Sequence, residues 1–276
     1  PYTTRFRSRI RKPFGQTFLF GTMMKNRSLF HTTLRAAYLA QKPLQGDGGR
    51  IRHLPLLFDV SAAGKSLPPI AEKPYRDLAK AAESGTMVPG SRGQVLFYSG
   101  CLEDFVYPEV CRDTVDRLEA LGYQVSFPQK QSCCGIPARY SGEMAVARDM
   151  ARINVDVLLE QEADHVVTIC PTCTMSLKHD FPKLLAKEPG YREKAERLAA
   201  RVCNYSELVA KNLDGTAHLR PGDGDVITYH DACHLKRGCG VYQEPRQVLT
   251  DLVGADIREM TDCDKCCGFG GSYSLK

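Results

Sequence analysis

The chain has 276 residues, 43% hydrophobic and 25% charged, the balance of a globular protein long enough for one large or two ordinary domains. Its net charge of +5 conceals a basic arm: residues 1–53 carry eleven Lys or Arg against one acid, Asp47. Such an arm suits an anionic lipid, an acidic partner subunit or plain solvation, but no stacking motif or basic–aromatic repeat accompanies it, so nucleic acid is not expected as a partner.

Both ends are expected to be cut. No Met opens the chain, Pro1–Ser8 resembles a translated adapter, and only Gly268–Lys276 follow the last cysteine pair. Residues 14–41 begin with an apolar run, Phe14–Met24, interrupted by Gln16 and followed by Lys25, Asn26 and Arg27, so no membrane span is expected. Phe30, Leu34, Ala37 and Tyr38 then fall at helical spacing, and the segment is expected to pack on its own domain. Residues 42–94 are rich in Pro and Gly and read as an irregular connection, with a short helical turn at Ala79–Ala82.

From Gln94 the pattern alternates. Val95–Tyr98 suits a buried strand and runs into Ser99-Gly100-Cys101. Val110, Thr114, Leu118 and Leu121 share one helical face, which Gly122 ends. Tyr123–Phe127 reads as a strand, the Gln129–Gly135 loop carries Cys133 and Cys134, and Glu143–Glu160 reads as a helix burying Met144, Ala147, Ala151, Val155 and Leu158. A third strand, His165–Ile169, leads into Cys170-Pro171-Thr172-Cys173 and a helix over Met175–Leu185. A helix over Arg192–Val209 and a Gly/Pro/Asp linker, Asp214–Asp225, follow.

The pattern then restarts. Val226–Tyr229 matches Val95–Tyr98, Cys233 matches Cys101, Glu244–Val253 matches the first helix, and Cys266-Cys267-Gly268 matches Cys133-Cys134-Gly135. The expected fold is α/β: two tandem pseudo-repeats of a small layered, Rossmann-like sheet with cysteine-bearing loops at the strand C-termini. The second repeat is truncated, and a mostly helical or irregular N-terminal segment precedes the first. The expected divisions are a basic connecting segment over 1–90, a first cysteine-rich domain over 91–213 and a second over 225–276.

Twelve cysteines in a chain of this length, without a signal peptide and with adjacent pairs and a CxxC, point to metal or redox sites in a reducing compartment rather than to disulfides. Five thiolates on one sheet edge repel one another unless a cation neutralises them. Thiolates without carboxylates or several histidines select Zn, Cu(I) or iron–sulfur, and four suffice for a tetrahedral zinc or a cubane. Adjacent cysteines ligate a multi-iron cluster more readily than one zinc. Cys111, Cys203 and Cys239 read as structural; Cys263 is a weaker candidate ligand. His230 and His234 flank Cys233 and read as hydrogen-bonding groups that tune a cluster, with Lys130, Arg139, Lys236, Arg237 and Lys265 as nearby positive charge. Gly268-x-Gly270-Gly271 follows a cysteine pair rather than opening a dinucleotide helix, so flavin or hydride chemistry belongs on a partner.

Cysteine, thirty-one residues, Cys-Cys-Gly, thirty-five residues and CxxC, followed by a second single-plus-pair, resembles the duplicated cysteine-rich (CCG) domain. That family includes the cysteine-rich subunit of heterodisulfide reductase and the iron–sulfur subunits of lactate, glycolate and glycerol-3-phosphate dehydrogenases. Tyr229–Leu235 and Cys266–Gly271 also carry the likeness, which spans about residues 94–276 and leans toward the lactate/glycolate type. The resemblance implies that Cys101, Cys133, Cys134, Cys170 and Cys173 ligate a 4Fe–4S cluster, noncubane in some members. Cys233, Cys266 and Cys267 would be partial ligands of a second cluster or of zinc. It implies an iron–sulfur electron-transfer subunit of a multisubunit oxidoreductase, with substrate catalysis elsewhere. Electrons would pass from a flavoprotein oxidising a 2-hydroxy acid, lactate or glycolate, through this and other iron–sulfur subunits to a quinone or another carrier. The location implied is the cytoplasm or the inner face of the membrane. The alternatives are a heterodisulfide-reductase-like protein cleaving a disulfide at a noncubane cluster, and a zinc-stabilised structural module. Family members often carry a two-cluster ferredoxin-like domain ahead of the repeats; no CxxCxxC precedes Cys101 here.

Overall fold

The computed structural model describes residues 18–24, 26–44, 68–79, 89–213 and 226–268. The Asp214–Asp225 linker, most of the 42–94 connection and the glycine-rich tail after Gly268 lie outside them.

Helix α1, Arg27–Gln41, starts where the Asn26 side chain accepts a hydrogen bond from the Leu29 amide, replacing one of the partners a first turn lacks. Phe30, Leu34, Ala37 and Tyr38 are half-buried on one face, as their spacing predicts. The wide helical turn before it, Leu19–Met24, buries Phe20 and Met24 in the same core as Cys133 and Cys134. A short helix in the connecting region is α2, Tyr75–Leu78, with Ala79 extended after it; the rest of the turn expected at Ala79–Ala82 lies outside the described residues.

Four strands form one parallel sheet in the order β2-β1-β3-β4: β1 Gln94–Phe97, β2 Gln124–Ser126, β3 His165–Thr168 and β4 Val202–Asn204. β1 is buried on both faces. Leu96 and Tyr98 pack with the N-terminal segment and later helices; Val95 and Phe97 face the opposite side. Burial on both sides is the physical cause of its unbroken apolar run.

After β1 come α3, Cys101–Val106, and α4, Pro108–Ala120; after β2 come α5, Ile136–Tyr140, and α6, Met144–Leu159. The buried face of α4 runs through Cys111, Thr114, Leu118 and Leu121, while Val110 is exposed, so the apolar stripe is one position round from the expected one. After β3 come α7, Pro171–Met175, a wide turn over Ser176–Asp180, α8, Phe181–Leu185, and α9, Arg192–Arg201. The expected helix Arg192–Val209 is in fact α9, the strand β4 and α10, Tyr205–Ala210, so Cys203 lies on a strand rather than a helix. Only three residues long, β4 is held by pairing of Val202, Cys203 and Asn204 to Val166, Val167 and Thr168.

The sequence after 225 forms a second parallel pair, β5 Val226–Ile227 and β6 Asp256–Ile257, with α11, Cys233–Cys239, and α12, Gln243–Gln247, between them. A wide turn, Val248–Leu252, replaces the latter half of the helix expected over Glu244–Val253. Gln94 pairs with Gln124 and Val226 with Asp256, so both partners advance by 132 residues. Among the described residues no helix is long and apolar enough to cross a membrane.

Candidate metal centre

In this sheet β1 is flanked by β2 on one side and β3 on the other, so the loops leaving β1 and β3 diverge above the strand ends. Such a switch point opens a crevice at the carboxyl edge. Cys101 follows β1, Cys133 and Cys134 follow β2, and Cys170 and Cys173 follow β3. Three loops thus deliver five thiols to one place across long sequence gaps.

The sulfurs are neighbours. Cys101 Sγ lies 4.0 Å from Cys133 Sγ, and Cys133, Cys134, Cys173 and Cys170 act in turn on one another's protonation. Cys133, Cys134 and Cys173 are buried; Cys101 and Cys170 are half-buried. Cys101 opens α3, Cys170 caps α7, and Gly135, in the left-handed region at φ 78°, caps α5. Unpaired N–H groups at these first turns favour thiolate. A residue with a side chain at Gly135 would be strained at that φ, which explains the glycine after the cysteine pair.

Electrostatics divide the thiols. Hydrogen bonds from Cys133 and Cys173 hold Cys134 down at about 6. Its neighbours move the other way: the bond to Cys133, then burial, push Cys101 up; bonds to Cys134 and Cys170, then burial, push Cys173 up. Cys133 is drawn down by Cys101 but raised further by Cys134 and burial. One thiolate is therefore stabilised by thiols that keep their protons, and five thiolates at once require a cation among them. Among the described residues no three Cys, His, Asp or Glu side chains stand ready to hold a single metal ion. The donor set itself, five soft sulfurs from three loops, fits a metal or iron–sulfur group.

The loops are clamped by side chains that the cysteine pattern does not reveal. Buried Gln131 accepts the Ser99 N–H through Oε1 and donates through Nε2 to the Phe97 and Pro128 carbonyls, tying the end of β1 to the cysteine-pair loop. Buried Asn154 on α6 accepts the Ser132 N–H and donates to the carbonyls of Cys133 and Met150. Ser176 Oγ donates to the Cys134 carbonyl, and Thr174 Oγ1 to that of Cys170. Asn154 has a sequence signal: a polar residue inside the stripe Ala151, Val155, Leu158 is buried and must be satisfied. Asn154→Ala leaves the Ser132 amide and Cys133 carbonyl without these partners, and a loss of about 3 kcal/mol is expected as a lower denaturation midpoint.

A small cavity beside Cys101 and Cys133 is walled by Met24, Phe30, His31 and Phe105. Arg76 of α2 also lines it and bonds Asp104 of α3 and the Gln129 carbonyl. Glu103, two residues after Cys101, is half-buried, and burial pushes its carboxyl up.

The second half carries the other three expected ligands, Cys233, Cys266 and Cys267. Cys233 opens α11 as Cys101 opens α3, and Gly268 takes φ 73° as Gly135 takes 78°. Cys266 and Cys267, however, are exposed. Cys263 Sγ donates to Asp231 Oδ2 at 3.5 Å, so its contact here is a carboxylate. Burial raises Asp231, but bonds from Arg246 and Lys236 outweigh it and hold the carboxyl at about 2. His234 Nδ1 bonds the Thr172 hydroxyl at 2.7 Å, linking α11 to α7, and His230 Nε2 bonds the Lys265 carbonyl. The expected positive charges are mostly committed elsewhere. Arg139 pairs with Asp180, Lys236 with Asp231, Arg237 with Asp264 and Lys265 with Asp262; Lys130 is exposed. Cys111 is fully buried, and burial pushes Cys203 to about 12 and Cys239 to about 11, as structural thiols behave.

The model of the cysteine-rich CCG domain matches residues 95–178 and again residues 227–276. Lactate utilization protein A of Halalkalibacterium halodurans is 33% identical over 183 residues, covering 66% of this chain and 73% of that protein. The chain belongs to the CCG-domain family. Lactate utilization protein A 1 of Bacillus cereus is 29% identical over 185 residues, and the protein of that name from Bacillus thuringiensis 31% over 186. Each of these alignments covers 66% of this chain and 75% of the relative. The first matched segment takes in β1, β2 and β3 with Cys101, Cys133, Cys134, Cys170 and Cys173, and the second takes in β6 with Cys233, Cys266 and Cys267.

Proposed function

We propose that this CCG-domain protein is an iron–sulfur electron-transfer subunit of a multisubunit oxidoreductase in lactate utilisation. The observation that carries the reading is the convergence of Cys101, Cys133, Cys134, Cys170 and Cys173 at one sheet edge, a donor set one thiolate larger than a zinc or a cubane needs. The names of its relatives support the process. A bound cluster would supply one-electron storage; the chain's own residues hold it, limit its exposure and set its charge environment through the N–H groups of α3, α5 and α7.

In this reading the chain contains two tandem copies of one layered unit, over 91–213 and 225–276, and Cys233, Cys266 and Cys267 ligate part of a second centre. Substrate oxidation takes place on a flavoprotein partner that acts on a 2-hydroxy acid, and electrons leave toward a quinone or another carrier through further iron–sulfur subunits. The setting is the cytoplasm or the inner membrane surface.

The test is anaerobic purification of the full-length protein, with iron, acid-labile sulfide and zinc measured and electron paramagnetic resonance recorded after reduction. Iron and sulfide in cluster proportion with a reducible signal are expected. Zinc with negligible iron would sink the reading, and heterodisulfide cleavage without a flavoprotein would replace electron transfer by direct catalysis.

A further inference from the structure

We propose that Glu103 supplies an oxygen ligand to an iron of the first centre, beside the five cysteine sulfurs; this rests on the iron–sulfur reading above. Glu103 stands in the first turn of α3, whose first residue is Cys101. Its Oε2 is buried and has no hydrogen-bond partner among the described residues. The adjacent acid, Asp104, is neutralised by Arg76, whereas no ion pair among the described residues reaches Glu103. Burying one carboxylate oxygen without a partner is costly, and a cation beside Oε2 would offset that cost.

The geometry indicates what that is. A Cβ placed on Gly100 would lie 2.8 Å from Glu103 Oε2 and 3.1 Å from Cys173 Sγ. The carboxylate oxygen and a thiol sulfur therefore flank one small volume, which glycine at position 100 keeps free of side chain. Cys170 is also a near neighbour of the Glu103 carboxyl. The carboxyl is thus placed among three of the five thiols, Cys101, Cys170 and Cys173. Carboxylate is a hard donor beside soft sulfurs; iron accepts both, whereas Cu(I) favours the sulfurs. Five sulfurs already exceed one protein donor per iron of a four-iron cluster, and the iron that also took the carboxylate oxygen would differ from the others.

The experiment uses the full-length protein, loaded with iron-57 in anaerobic culture, as wild type and as Glu103→Gln, which keeps the shape and removes the charged donor. Mössbauer spectra of the wild type are expected to resolve one iron subsite apart from the rest. Glu103→Gln is expected to retain its iron and sulfide but lose that subsite, and its reduction potential is expected to shift. Adding acetate to Glu103→Ala is expected to restore the subsite, an effect that a purely structural role for Glu103 would not produce. Superimposable spectra of the wild type and Glu103→Gln in an iron-containing protein overturn this inference alone. Wild-type protein without iron overturns it together with the reading on which it rests. If Glu103→Gln does not accumulate, Glu103→Ala with and without acetate decides: no difference between the two overturns the ligand assignment.

Discussion

Serine at Cys133 or at Cys134 is expected to abolish the resonance signal of the first centre, while serine at Cys111 leaves it intact. The first two sulfurs sit in the middle of the row of sulfurs that runs from Cys101 through Cys173 to Cys170. Removing either breaks the donor set at its centre, and an alcohol is a far weaker ligand for iron at neutral pH than a thiolate. Cys111 lies on the other side of the sheet, among Tyr75, Phe97 and Phe127, where burial and acidic neighbours push its thiol up and keep it protonated. Serine there costs folding energy, about 1–3 kcal/mol for burying a hydroxyl, without touching the site. Anaerobic preparations of the three variants, compared for iron content and signal per protein, make the check. Equal loss in all three would show that the ligands have been misassigned or that any perturbation of this core releases the cluster.

The sites of the five thiols were legible because cysteine spacing and strand-end position are both written locally. Val95–Tyr98 is a continuous apolar run and His165–Ile169 a β-branched one, and each leads into a cysteine packet. What converts these runs into a site is the strand order, which places β1 between β2 and β3. Strand order depends on pairing between distant segments, and periodicity within a segment does not encode it. The fourth strand escaped for a related reason. Val202, Cys203 and Asn204 continue an apparently helical stretch, and only pairing with β3 makes them a strand. The clamps escaped because an amide such as Gln131 or Asn154 is informative only once its environment is known to be buried. The bond between His234 and Thr172 escaped in the same way, since a position beside Cys233 does not reveal that α11 packs against α7.

Asp104→Ala is expected to destabilise the protein by about 3–5 kcal/mol, because it leaves the Arg76 guanidinium buried without its counter-charge. The side chain of Asp104 is fully buried and that of Arg76 is 8% exposed. The Arg76 amide donates to Asp104 Oδ1 at 2.9 Å and its Nε to Oδ2 at 2.6 Å. Arg76 also bonds the Gln129 carbonyl, and Gln129 Nε2 returns a bond to the Arg76 carbonyl. This one side chain therefore ties the helix that begins at Cys101 to the loop that carries Cys133 and Cys134. The pair's own net contribution is smaller than the cost of breaking it, since both ions lose their hydration. The double variant Arg76→Met, Asp104→Leu, which fills the space without charge, should accordingly recover most of the loss in denaturant unfolding. The reverse deletion, Arg76→Ala, carries a pH signature. Burial already pushes the Asp104 carboxyl up against the lowering pull of Arg76, and without Arg76 it rises further. Between the unfolded value near 4 and that raised folded value, the folded state binds more protons than the unfolded one. Stability of Arg76→Ala must then fall as the pH rises through this window and improve as the pH drops toward 4. Unfolding midpoints of Arg76→Ala and of the double variant, taken at several pH values in this range, test the sign: the first should slope and the second, with no carboxyl at position 104, should lack that slope. A double variant as unstable as Asp104→Ala would mean that Arg76 and Asp104 are needed for what they bond in the loop, and that their charges are secondary.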